Sequence, residues 1–128
     1  MRNYFITFDI EEWCHANFHS LKEIPETTEN DLDKEVDIMI NMCEERNIKS
    51  TCFILGIVAE KYPQIVKKIY NAGHEVASHG YNHKLVYNMT PEEFNNDIQK
   101  SCMLLENITG EKIKGYRAPS WSIKKENW

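Results

Sequence analysis

Apolar positions along this chain fall into short runs that alternate between two spacings. Residues 3–9, Asn3-Tyr4-Phe5-Ile6-Thr7-Phe8-Asp9, are rich in β-formers and predict a first strand ending at Asp9. Val36, Met39, Ile40 and Cys43 recur at helical spacing and predict a helix over 31–46, with acidic residues near its start. Ser50 to Leu55 is a short apolar run stopped by Gly56, a second strand. Residues 57–72 read as helical, interrupted near Pro63 and closed by Asn71-Ala72-Gly73. His74 to Ala77 predicts a third strand. Thr90-Pro91-Glu92-Glu93 is a capping box with proline at the first helical position, opening a helix that Gly110 closes. The apolar face of that helix is Phe94, Ile98, Cys102, Leu105 and Ile108. Ile113 to Tyr116 predicts a fourth strand. Residues 12–30 show no period, hold Trp13, His15, His19 and Pro25, and predict a long loop, a common place for function.

Strands that alternate with helices predict an α/β fold with a mostly parallel sheet. Sites in such sheets form beyond the carboxyl ends of the strands. Asp9 and Glu11 follow the first strand, His79 and His83 the third, and Arg117 and Trp121 the fourth. The chemistry-bearing residues therefore gather at one end of the sheet.

Composition refines this picture without redirecting it. The chain has 128 residues, one domain's worth, and is too short for a full (β/α)8 barrel of about 250 residues. A net charge of −5 argues against a nucleic-acid partner. No run approaches the roughly 20 apolar residues of a membrane span. An acidic residue at position 9 comes too early for a signal peptide, and the four cysteines include no Cys-x-x-Cys pair. Buried thiols and a cytoplasmic location are the expectation.

His79 and His83, in Ser78-His79-Gly80-Tyr81-Asn82-His83, are four apart. On a helical turn that spacing puts both imidazoles on one face, within reach of one ion. A carboxylate would complete a catalytic-type site with an open position, and Asp9 is the candidate. Cys14, His15 and His19 form a rival cluster that would suit zinc but needs a helix where the pattern shows none. His74 reads as structural.

Three motifs together resemble those of the polysaccharide deacetylase (NodB-homology, carbohydrate esterase) family. Thr7-Phe8-Asp9 is similar to the start of its Thr-Phe-Asp-Asp motif. His79 to His83, with the lead-in His74-Glu75-Val76-Ala77-Ser78, is similar to its His-Ser/Thr-x-x-His motif. Arg117-Ala118-Pro119-Ser120-Trp121 is similar to its Arg-x-Pro-Tyr motif. Asp9 to Trp13 and the stretch from His83 to Phe94 most resemble the branch linked to exopolysaccharide or capsule synthesis. The family's second aspartate falls at Ile10, with Glu11 as a substitute on the same strand face, and Gly80 stands where a hydroxyl residue is usual.

The resemblance implies a partial irregular (β/α) barrel of about four parallel strands. The family's fourth and fifth motifs lie beyond Trp128, so residues 1–128 read as a single truncated deacetylase-like domain. It implies hydrolysis of the N-acetyl group of an amino sugar in a bacterial polysaccharide or its precursor. A divalent ion is implied, zinc foremost, with cobalt, nickel or manganese as alternatives. Its ligands would be Asp9, His79 and His83. Asp9 and Glu11 would divide the roles of base and ligand, and Arg117 would orient the base. The main-chain N–H of Ser120 would steady the oxyanion. Trp121 and Trp13 would wall the sugar groove. Two other readings stay open: a non-catalytic half-domain that binds metal or sugar and self-associates through exposed edges, and an amide hydrolase acting on small ureides.

Overall fold

Three strands, β1 (Thr7–Ile10), β2 (Thr51–Ile54) and β3 (Glu75–Ser78), pair in parallel and in chain order. The register sets Asp9 beside Phe53 and Phe53 beside Ala77. The computed structural model describes residues 4–15 and 29–125. The helices are α1 (Glu29–Glu44), α2 (Gly56–Lys61), α3 (Pro63–Asn71) and α4 (Pro91–Thr109).

The core lies where α1 and α3 meet the sheet. Ile65, Val66 and Ile69 of α3 are fully buried against Ile54, with Val36 and Cys43 of α1 close to that state. Residues 65 and 69 share a helix face. Each such side chain contributes about 1.5–3 kcal/mol through removal from water. Pro63 divides the expected helix 57–72 in two, because its ring occupies the first position of α3 and its nitrogen has no proton to donate. At the start of α4 the Thr90 hydroxyl accepts from the Glu93 amide (3.2 Å), and the Glu93 carboxylate accepts from the Thr90 amide (2.7 Å). Gly110 ends α4 in the left-handed region at φ 75°.

Most element boundaries shift by one or two residues from the pattern reading, and some differences are larger. β1 begins at Thr7 and runs through Ile10, leaving Tyr4 and Phe5 exposed at 81% and 89%. The first helix starts at Glu29 instead of residue 31. The expected fourth strand, 113–116, is a single parallel bridge between Ser78 and Tyr116. Its hydrogen bonds are Ser78 N–H to Gly115 O and Arg117 N–H to Ser78 O, both 2.9 Å. Among the described residues the pairing goes no further, and the Ile113 amide is bound instead to the Glu106 carboxylate at 3.1 Å. On α4, the expected apolar face is only half-buried at Phe94, Ile98 and Cys102, whereas Ser101 is fully buried beside Leu105. All four cysteines are free thiols, Cys43 and Cys52 buried. Among the described residues no helix is long and apolar enough to cross a membrane.

Candidate active site

The carboxyl ends of the three strands converge on one cluster. Ile10 points into the core, so its neighbours Asp9 and Glu11 both face the site. A carboxylate at position 10 would stand in the core, and Glu11 is the acidic partner that alternation allows.

His79 leaves β3 with its amide bound to Ile54 O at 3.0 Å. Its Nδ1 lies 2.8 Å from Arg117 O. A carbonyl only accepts, so Nδ1 carries the proton and Nε2 presents a lone pair to the site. That Nε2 is 3.9 Å from Asp9 Oδ2 and 3.9 Å from Glu11 Oε2. His83 Nε2 is 3.1 Å from the same Glu11 oxygen. The two rings meet edge to face, centroids 5.3 Å apart.

The pair does not sit on a helical turn. Gly80 at φ 80° and His83 at φ 61° bend the chain out of β3 into a tight loop, and the loop brings the rings together. The rings expected side by side on a helical turn are brought together by a non-helical loop instead.

Both imidazoles are buried. Burial lowers the pKa of His79, and burial together with the neighbouring His79 brings His83 down to about 4. Both rings are therefore neutral bases near pH 7, the form that binds an ion. Burial first, and the Asp9 charge second, push the Glu11 carboxyl upward. Glu11 Oε2 is buried and has no hydrogen-bond partner among the described residues, although it lies 3.1 Å from His83 Nε2. Glu11, His79 and His83 can each offer a ligand atom within 4.8 Å of the others. A buried carboxylate oxygen without a hydrogen-bond partner among the described residues, beside two buried imidazoles, is a donor set suited to zinc or a similar divalent ion.

Asp9, expected among the ligands, is held differently. Its Oδ1 accepts from Arg117 Nη1 at 2.7 Å, and Arg117 Nη2 donates to Thr7 Oγ1 at 2.7 Å. The guanidinium also stacks 4.1 Å over the Phe53 ring. Pattern reading missed Thr7 and Phe53, although Thr7 lies two residues before Asp9 and so shares its face.

Ser120 (φ 49°) and Trp121 (φ 54°) are successive residues in the left-handed region. Such backbone costs roughly 1–2 kcal/mol per residue outside glycine. It throws Trp121 outward, 82% exposed. Trp121 lines an open cavity of about 380 Å³ with Phe53, Tyr116, Arg117, Ala118 and Ile123. Trp13 opens a short 3-10 turn, Trp13–His15, and is partly exposed. In the rival cluster Cys14 and His15 gather with Glu12, while His19 lies outside the described residues. His15 Nδ1 accepts the Glu12 amide at 3.1 Å, which leaves the proton on Nε2 and no lone pair toward an ion.

The comparisons with known proteins agree with this layout. The family model described as polysaccharide deacetylase matches residues 5–128. A peptidoglycan-N-acetylglucosamine deacetylase of Bacillus cereus is 36% identical over 85 residues, which is 66% of this chain and 31% of that protein. A peptidoglycan deacetylase of Helicobacter pylori is 32% identical over 85 residues, 66% of this chain and 29% of that protein. The chain thus spans under a third of the length of either relative. A solved peptidoglycan N-acetylglucosamine deacetylase, in complex with 4-naphthalen-1-yl-N-oxidanyl-benzamide, superposes with TM-score 0.74 at 28% identity, covering 96% of this chain and 49% of that one. A CE4 family pseudoenzyme from Bacillus anthracis shares the fold with TM-score 0.74 at 19% identity, over 96% of this chain and 38% of that one. With the motifs in order at the ends of a parallel sheet and the family model spanning nearly every residue, this chain belongs to the polysaccharide deacetylase family.

Proposed function

We propose that this chain carries the metal-binding and base-bearing part of a metal-dependent N-deacetylase acting on an N-acetylated amino sugar in a polysaccharide or its precursor. The observation that carries this reading is the Glu11–His79–His83 group with the Asp9–Arg117 pair beside it. Glu11 and the two Nε2 atoms would hold the ion. A divalent ion bound there supplies Lewis acidity toward an amide carbonyl and lowers the pKa of water. Asp9, with Oδ1 fixed by Arg117, keeps Oδ2 toward the site to take a proton from the attacking water. The Ser120 main-chain N–H steadies the negative oxygen of the tetrahedral intermediate. Trp121 offers its exposed face to a sugar ring, with Trp13 on the rim. Peptidoglycan deacetylases among the relatives support an N-acetylated glycan as substrate.

Ion binding is tested before turnover, because the relatives are about three times longer than the matched span. Zinc content and cobalt titration are measured on the chain and on the double variant His79→Ala/His83→Ala. One ion per chain, lost in the double variant, is the expected result. An ion-free chain that also ignores added cobalt rejects the reading. Acetate release from N-acetylated oligosaccharides, with a small ureide as the competing substrate, then tests the chemistry.

Among the described residues the outer edge of β1 has no strand partner, and this, with Tyr4 and Phe5 exposed, favours a second reading in which this chain works in association with another copy. Sedimentation at high concentration reads that directly, and a clean monomer argues against it.

A further inference from the structure

The turn that carries both imidazoles is held at every backbone polar group of its first two residues. Gly80 O accepts from the Gly56 amide at 2.9 Å and Tyr81 O from the Ile57 amide at 2.8 Å. These donors are the first two amides of α2, which have no partner inside their own helix. On the other side, the Gly80 amide donates to Ser78 Oγ at 3.1 Å, and that hydroxyl is paired with Ser101 Oγ at 2.8 Å. The Tyr81 amide donates to Asp97 Oδ2 at 2.9 Å. Asp97 and Ser101 are four apart on α4 and present one face to the turn.

Gly80 adds a second, independent observation. A Cβ at this position would lie 2.9 Å from the same Asp97 Oδ2, a distance real Cβ atoms do not reach. Space that a side chain at 80 would fill is taken by a carboxylate reaching in from α4. Tyr81, whose amide that carboxylate holds, is the residue midway between His79 and His83.

We infer that Asp97 is a positioning residue for the metal centre: by accepting the Tyr81 amide in the space left by Gly80, it fixes the loop that sets His79 and His83 around one ion. This rests on the metal reading given above. Asp97 touches neither the ion nor the substrate. Its effect reaches the site through the separation and tilt of the two rings.

The test uses the full chain and cobalt(II) as the probe. Cobalt affinity and the visible absorption of the bound ion are measured for the unsubstituted chain, Asp97→Ala and Asp97→Asn, with the thermal midpoint of each metal-free protein. Asp97→Ala is expected to weaken cobalt binding by roughly 10–100-fold, the range typical of losing a partner behind the ligands, and to change the visible band. Asp97→Asn, whose amide oxygen still accepts from Tyr81, is expected to keep both the affinity and the band. If Asp97→Ala does not fold, Asp97→Leu fills the volume without an acceptor and is expected to show the same loss. A lowered midpoint with unchanged cobalt affinity and spectrum is what a purely structural role gives, and it overturns the inference. So does an equal loss in Asp97→Asn. A chain that takes up no cobalt before any substitution overturns the metal reading and this inference together, whereas equal uptake by the unsubstituted chain and Asp97→Ala overturns this inference alone.

Discussion

β3 is flanked by two buried histidines, one at each end, and their environments are opposite. His74, before the strand, accepts the Ser50 amide at Nδ1 (3.1 Å), so its proton sits on Nε2, which is buried without a hydrogen bond among the described residues. His79, after the strand, donates from Nδ1 to a carbonyl, so its Nε2 carries a lone pair instead. Both rings are nearly inaccessible, 3% and 2% exposed. Burial alone does not separate a ligand from a packing residue. What separates them is whether the far nitrogen meets a donor or an acceptor, because that decides which tautomer the near nitrogen shows.

The sharpest way to break this comparison is to remove each ring in turn. His79→Ala is expected to reduce cobalt affinity by more than the roughly 10–100-fold typical of an outer partner. His74→Ala is expected to leave cobalt affinity unchanged while lowering stability by about 2–4 kcal/mol, through lost packing and an unpaired Ser50 amide. Titration and chemical denaturation on the same samples read both, and cobalt loss in the His74 variant ends the contrast.

Next in size is the division of labour between the two carboxylates. Asp9→Asn is expected to keep the ion and slow acetate release by roughly 10²–10⁴-fold, the contribution of a general base. Glu11→Gln is expected to lose at least about tenfold in ion affinity, since in the proposed site Glu11 binds the ion directly. The reverse pattern would exchange their roles.

Arg117→Met gives a smaller effect on the ion. The group that fixes His79 is the Arg117 main-chain carbonyl, which the substitution retains, so cobalt affinity is expected to hold while acetate release falls. The smallest effect is a pH dependence. Burial, with Lys49 adding to it, lowers the pKa of His74 from 6.5, so the unfolded chain binds this proton more readily than the folded one. The contribution of His74 is therefore complete above pH 6.5 and declines as the pH falls from there toward the folded-state value. Denaturation curves of His74→Gln across that window should show a shallower slope.

Much of this architecture was legible in the sequence because the signals were local. Pro63 split a helix, Thr90 and Glu93 capped another, and three β-rich runs became three parallel strands. The fourth run makes only one bridge to β3, and its Ile113 amide is bound to the Glu106 carboxylate, a pairing that the apolar pattern does not show. The site residues Asp9, Glu11, His79, His83 and Arg117 were visible as motif residues, and the structure brings all five together. Which carboxylate lies against His83 and which is gripped by Arg117 was not visible, since it depends on Arg117 reaching Asp9 across the sheet. Asp97 and Ser101 were hidden for a similar reason. They read as the polar and small positions of an amphipathic helix, and only the arrival of the His79–His83 loop against α4 gives them partners.

Sequence separation has a consequence for folding. The ring of His79 is oriented by a carbonyl 38 residues away, and Asp9 is gripped by a guanidinium 108 residues away. Only the His79–His83 pair lies within a short segment; Glu11 and the groups that orient the centre come from distant parts of the chain, so an unfolded chain would hold an ion more weakly than the folded one. An ion bound at the proposed site would favour the assembled state, by at most about 4.1 kcal/mol at a free concentration 1,000 times the dissociation constant, and by less to the extent that the unfolded chain keeps affinity for it. Ion release would serve as an early report of opening anywhere between β1 and the loop after Tyr116, before the core itself gives way.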